Sequence, residues 1–191
     1  MIHETPIGRG AVAAEPIDDA IDHVRGVSAA AHVILESGDY ECPYSRKAYR
    51  EIQRVETRLG DRLRFALRHF PLTEIHPHAL AAACAAEAAA LENQFWDMHP
   101  AFPPTSALED GDLRQYAAMV GLDPERFDRD RTSSSVMQRI GRDVESGIAS
   151  REVRGTPTIF IDGAVHRGTY DAATLIAALS GAGRGDDDLD P

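Results

Sequence analysis

The sequence predicts an α/β fold in which a β-α-β unit, a block of helices and a β-β-α unit follow one another. Three observations predict it. A short apolar run ends at Gly38-Asp39 and gives way to apolar residues at helical spacing. The middle of the chain is rich in alanine, the best helix former. From Thr158 the residues turn β-branched and aromatic, and Asp162-Gly163 marks a tight hairpin.

Each element can be justified in turn. Ala31 to Ser37 (AHVILES) predicts a buried strand. Pro43 suits the first turn of a helix, on which Ala48, Ile52, Val55 and Leu59 recur until Gly60 stops it. From Arg62 to His69 the pattern alternates, with Leu63, Phe65 and Leu67 facing a core and Arg62, Arg64 and Arg68 expected in solvent. Pro77 to Glu92 holds nine alanines and predicts a helix on which Cys84 is a small core residue. Phe95, Trp96 and Met98 are expected in the core of the helical block. Leu113, Tyr116, Ala117 and Val120 stripe a second helix, Asp123-Pro124-Glu125 caps and opens a third, and Val136, Ile140, Val144 and Ile148 stripe a fourth. Thr158 to Asp162 and Ala164 to His166 predict the hairpin, and Asp171 caps a last helix through Leu175, Ile176 and Leu179.

Composition narrows the function classes. The 191 residues carry 20 Lys+Arg against 31 Asp+Glu, a formal charge of −11. An acidic chain without a concentrated basic patch repels phosphate, so neither a nucleic-acid nor an anionic-membrane partner is expected. Two cysteines, Cys42 and Cys84, exclude a multi-disulfide scaffold. No secretory leader or bilayer-length apolar run is visible, and the expectation is a soluble, cytoplasmic protein.

The segment Gly38-Asp39-Tyr40-Glu41-Cys42-Pro43-Tyr44-Ser45 carries the chemistry. A cysteine between a strand end and a helix start lies in the positive field of the helix dipole, near unpaired amides. Both favour the thiolate, which is the nucleophile. The expectation is therefore an exposed, activated thiol at Cys42. Ser45 stands three positions on, where a second cysteine would complete a redox pair. A hydroxyl there excludes a disulfide between positions 42 and 45. It either donates to the Cys42 sulfur or satisfies a backbone amide of the first turn. Thr156-Pro157 opens the TIFID strand, a place for a cis peptide bond that exposes a backbone edge to an extended peptide. His76 and His78 flank Pro77 without a second ligand set, and no metal is expected.

The strings GDYECPYS, RHFPLTEIHPHA, AAEAAALENQFWDMH and VRGTPTIFIDG, in this order, resemble the DsbA-type thiol–disulfide oxidoreductases of the thioredoxin superfamily. The likeness runs from about Val24 to Leu179. It implies a thioredoxin fold with an inserted helical domain. Residues 1–20 are then a flexible lead-in, 21–70 the first part of the thioredoxin fold, 71–150 the helical insertion, 151–181 the second part, and 182–191 a disordered acidic tail. It further implies that Cys42 is the nucleophile, that Pro43 and Tyr44 are the variable dipeptide, and that Thr156 and Pro157 form the cis-proline loop. Pro43, Tyr44, Thr156 and Pro157 then contact substrate, and Glu36 is a partly buried acid that helps move protons.

Ser45 departs from the family, which has its resolving cysteine there. The expectation is accordingly a monothiol mechanism, in which Cys42 forms mixed disulfides with protein or peptide disulfides and thiols. No cofactor is bound, and glutathione or another low-molecular-weight thiol serves as co-substrate. Two other readings share these residues. One is a kappa-type glutathione transferase or isomerase that uses Ser45 to hold the glutathione sulfur, and the other is a redox-inactive binding protein of the same fold.

Overall fold

A computed structural model describes residues 14–102 and 108–182. Its elements are β1 (His23–Arg25), β2 (His32–Gly38), α1 (Pro43–Leu59), β3 (Leu63–His69), α2 (Ala79–Ala90), α3 (Phe95–Met98), α4 (Asp110–Met119), α5 (Pro124–Asp130), α6 (Ser134–Ser150), β4 (Thr158–Ile161), β5 (Ala164–Val165) and α7 (Ala172–Ala182). The sheet order is β1-β3-β2-β4-β5, with β2 and β3 parallel and the other pairs antiparallel. This is the predicted thioredoxin-like α/β fold, with helices α2 to α6 between β3 and β4. Most of two expected segments, the acidic tail at 182–191 and the lead-in at 1–20, lies outside the described residues.

Helix α1 forms where apolar periodicity and end signals agree. Pro43 occupies its first position, Ala48, Ile52 and Val55 are buried one turn apart, and Gly60 ends it with φ at 53°. These residues pack on one face of the sheet with Ile34, Phe65, Leu67, Leu175 and Leu179. Helix α2 is buried on nearly every side. Alanine side chains let α3, α4, α5 and α6 all approach it. Phe95 and Met98 are buried and Trp96 is partly buried, within the same core.

The second face of the sheet overturns one expectation. Arg64 and Arg68 do lie opposite Leu63, Phe65 and Leu67, but that face is covered rather than solvated. The segment before β1 and helix α6 close over Leu35, Ala66 and Phe160, and Ala14 and Val153 join that core. Arg68 is 5% exposed; its guanidinium donates to Asp22 and Ser146 and to the carbonyls of Glu15 and Pro16. Arg64 pairs with Asp19. The described end of the lead-in is thus fixed by two arginines.

Helix α6 also turns differently from its apolar stripe. Val136 and Ile140 are buried as expected, but the line continues through Asp143 and Gly147, while Ile148 is 62% exposed. The cause is the Asp143 carboxylate, which accepts from the His69 amide at 3.0 Å and pairs with Arg139 and Arg142. Gly147 faces the Phe70 ring, and a Cβ there would lie 2.8 Å from two ring carbons. Gly147→Ala is therefore expected to lower stability by about 1 kcal/mol. Overpacking of about 1–3 kcal/mol outweighs a helix-propensity gain of about 0.8 kcal/mol. Gly141→Ala, on the same helix with nothing within 4 Å, should instead raise it by that gain. Urea midpoints of the two variants check the opposite signs.

Candidate functional site

Cys42 is the N-cap of α1, in extended conformation, directly after the loop that leaves β2. Asp39 builds this loop. Its Oδ1 accepts from the amides of Glu41 (2.8 Å) and Cys42 (3.3 Å), and its Oδ2 accepts from the Leu72 amide (2.9 Å) and meets His76 Nδ1 at 2.8 Å. One carboxylate therefore ties the cysteine's loop to the chain that follows β3. Glu41 adds a second tie, accepting from the His78 amide at 2.6 Å and meeting its ring at 3.1 Å. His76 and His78 are thus partners of the loop's carboxylates.

The Cys42 thiol donates to the Thr156 carbonyl at 3.1 Å, across a sequence separation of 114. The Thr156–Pro157 peptide is cis. Cys42 is 3% exposed, which corrects the expectation of an exposed thiol. The sulfur lies against the Thr156 carbonyl, and Thr156 itself helps line a groove of about 550 Å³ together with Pro157, Thr158, His166, Arg167 and Tyr170. Tyr44, by contrast, is 62% exposed on the outer face of the first turn, and Pro43 beside it is exposed too. Ser45 is buried, and its Oγ accepts from the Asp39 amide at 3.2 Å. The amide it meets belongs to the loop ahead of the helix rather than to the first turn.

Glu36 projects from β2 into the core between sheet and α1, on the same face as Ile34. It is 1% exposed and so fully rather than partly buried, and its Oε2 has no hydrogen-bond partner. Desolvation pushes its carboxyl up to about 8. Gly38 leaves it room, since a Cβ there would lie 3.1 Å from Glu36 Oε1. Glu36 opens onto a cavity of about 240 Å³, also lined by Tyr40, Ser45, Tyr49 and His99. Tyr40 Oη and His99 Nδ1 are 2.8 Å apart. Burial holds the Tyr40 hydroxyl well above its ordinary value and the His99 ring well below, so both are neutral.

Sequence reasoning placed Cys42, Ser45, Glu36, Thr156 and Pro157 but missed Asp39, Tyr40 and His99. Asp39 had a readable signal, because an acid three residues before a helix N-cap is suited to an Asx turn. Tyr40 and His99 had none, since their pairing spans 59 residues. Cys84 does not join the site. It is buried on α2 with its sulfur 3.7 Å from Met137 Sδ, and desolvation pushes its thiol up to about 11.

Comparison with known proteins agrees with this fold. The family model described as thioredoxin matches residues 19–180. A thioredoxin-like oxidoreductase from Silicibacter pomeroyi superposes with a TM-score of 0.75 at 25% identity, covering 87% of this chain and 94% of that one. Oxidised BdbD from Bacillus subtilis gives 0.74 at 19% identity, covering 88% and 96%. Wolbachia pipientis alpha-DsbA1 gives 0.72 at 17% identity, covering 87% and 92%. A curated relative, the Na(+)/H(+) antiporter NhaA 1 of Mycolicibacterium gilvum, is 45% identical over 173 residues, which are 89% of this chain and 28% of that protein. The chain thus spans under a third of such relatives. No helix among the described residues is long and apolar enough to cross a membrane.

Proposed function

This chain belongs to the thioredoxin family, and from that membership we propose that it works as a DsbA-like protein, exchanging thiols and disulfides through the single sulfur of Cys42. The observation that carries the reading is the contact between Cys42 Sγ and the Thr156 carbonyl at the head of α1. The sulfur sits where the helix dipole favours negative charge, and the loop opposite it offers a backbone edge to an extended substrate. Tyr44, exposed on the first turn of the same helix, offers an aromatic surface to a bound substrate.

In the reaction, the Cys42 thiol gives up to solvent the proton it shares with the Thr156 carbonyl, and the thiolate so formed attacks one sulfur of a substrate disulfide. A Cys42–substrate disulfide forms as the substrate S–S bond breaks, and the leaving sulfur departs with the electron pair. Ser45 has no sulfur, so the second step belongs to an external thiolate, glutathione or another low-molecular-weight thiol. It attacks the mixed disulfide and releases Cys42 as thiolate. The protein ends in its starting redox state. Glu36, neutral until about pH 8, is a proton store behind the helix.

The test is exchange with a glutathionylated peptide, followed by intact-mass measurement. Wild type should acquire one glutathione, removable by excess free thiol, and Cys42→Ser should acquire none. Ser45→Cys should release the adduct without added thiol, by closing its own disulfide. An adduct carried by Cys84, or none at all, would overturn the reading.

A further inference from the structure

A second cluster of chemical side chains lies away from Cys42. His23 on β1, His69 at the end of β3 and Glu87 on α2 converge from three elements, and their donor atoms all lie within 4.8 Å of one another. Both imidazoles direct Nε2 at the same carboxylate oxygen, with His23 Nε2 at 2.7 Å and His69 Nε2 at 2.8 Å from Glu87 Oε1. The Glu87 and His69 side chains are 5% and 1% exposed, whereas His23 is 15% exposed and opens one side. Phe95 stacks on the His23 ring at 3.5 Å and meets the His69 ring edge-on at 5.9 Å, which fixes both ring planes.

Two imidazoles and one carboxylate, held by a packed shell with one side open, are the donor set of a three-ligand zinc site with water in fourth place. We propose that His23, His69 and Glu87 form a divalent-cation site that takes Zn²⁺. Zinc bonds of about 2.0–2.2 Å to nitrogen and oxygen require donors roughly 3.3 Å apart. The present N–O separations therefore widen by about half an ångström as the ion replaces two hydrogen bonds. In the metal-bound state each ring ligates through a deprotonated Nε2 and carries its one proton on Nδ1, and no electron is transferred. The bound ion joins β1 and β3 to helix α2 and so fastens the sheet to the helices that follow it. His69 also packs 5.8 Å from Tyr40, two residues before Cys42, so the fastening reaches the cysteine's loop.

The test is zinc binding to the full chain with both cysteines replaced (Cys42→Ser, Cys84→Ser), so that thiolate ligation cannot contribute. One Zn²⁺ per chain is expected by calorimetry, with a rise in Tm. Glu87→Gln and His23→Ala should each weaken binding at least about 10-fold. His76→Ala and His78→Ala should leave it unchanged. Should the ligand variants fail to fold, Co²⁺ substituted into the cysteine-free chain reads the site directly, through the visible absorption of a tetrahedral nitrogen–oxygen ligand set. Absence of binding, binding unaffected by Glu87→Gln and His23→Ala, or an octahedral Co²⁺ spectrum would each overturn the proposal.

Discussion

Arg68→Met is expected to destabilise the fold by about 3–5 kcal/mol, the usual cost of removing one partner from a buried ion pair. Arg68 and Asp22 have side chains 7% and 0% exposed, with the guanidinium nitrogens 2.8 and 3.0 Å from the carboxylate oxygens. Burial alone pushes the Asp22 carboxyl up; hydrogen bonds from Arg68 and the Asp18 amide, and the charges of Arg68 and Arg142, outweigh it and hold the group below its ordinary value. Methionine fills the volume but leaves Asp22 with the Asp18 amide and, for a cation, the more distant Arg142 at 3.3 Å. It also leaves the Glu15 and Pro16 carbonyls without their donor.

The sign with pH follows. A carboxyl depressed in the folded state adds stability that is present above its unfolded value near 3.8 and is lost as pH falls through the folded one. Arg68→Met should erase that acid-side loss. The double variant Arg68→Met, Asp22→Asn should recover part of the deficit, since no unpaired charge is then buried. Urea unfolding of the single and double variants at neutral pH measures both effects. Equal stability of the two would show that lost packing, rather than the stranded charge, sets the cost.

Arg68 also shows where reading the sequence stopped. Alternation along β3 assigned Leu63, Phe65 and Leu67 to one face and the arginines to the other, and it did so correctly. Alternation cannot say what covers a face, and the cover comes from residues before β1 and from α6, far away in the chain. The same distinction separates the rest. Helix α1 and its cysteine cap were legible because Pro43, the apolar spacing and Gly60 are local signals. The hairpin was legible because Asp162 and Gly163 both take positive φ, at 48° and 83°. Strand β1, three residues long, has too few positions to show a period. At the site, the residue types at the helix start could be read, but the tie from Asp39 to Leu72 and His76 and the cover from Thr156 are long-range. The arrangement of α6 failed for another reason. A buried carboxylate that finds a backbone amide and two arginines competes successfully with isoleucine for the inner face.

Glu36→Gln should change both stability and the pH dependence of exchange. The Glu36 carboxyl is raised to about 8 from an ordinary value of 4.5, because burial penalises its charged form. A group raised in this way contributes stability that is fully present below its unfolded value. That contribution is lost progressively as pH climbs toward about 8, and no further above it. At about 1.36 kcal/mol per pH unit, the wild-type loss over this window is on the order of 5 kcal/mol. Glutamine cannot ionise. The variant should lie at most about 1–3 kcal/mol below wild type near pH 4.5, the cost of its buried amide, and exceed it by roughly 2–4 kcal/mol at pH 8.5. In the exchange reaction proposed for Cys42, the wild-type rate should show an inflection near pH 8 that the variant lacks. Denaturation curves at pH 5, 7 and 8.5, with exchange rates measured alongside, separate the two roles. Parallel stability curves would mean that the carboxyl is solvated, and unaltered rates with divergent stabilities would leave Glu36 a buried acid without a part in proton transfer.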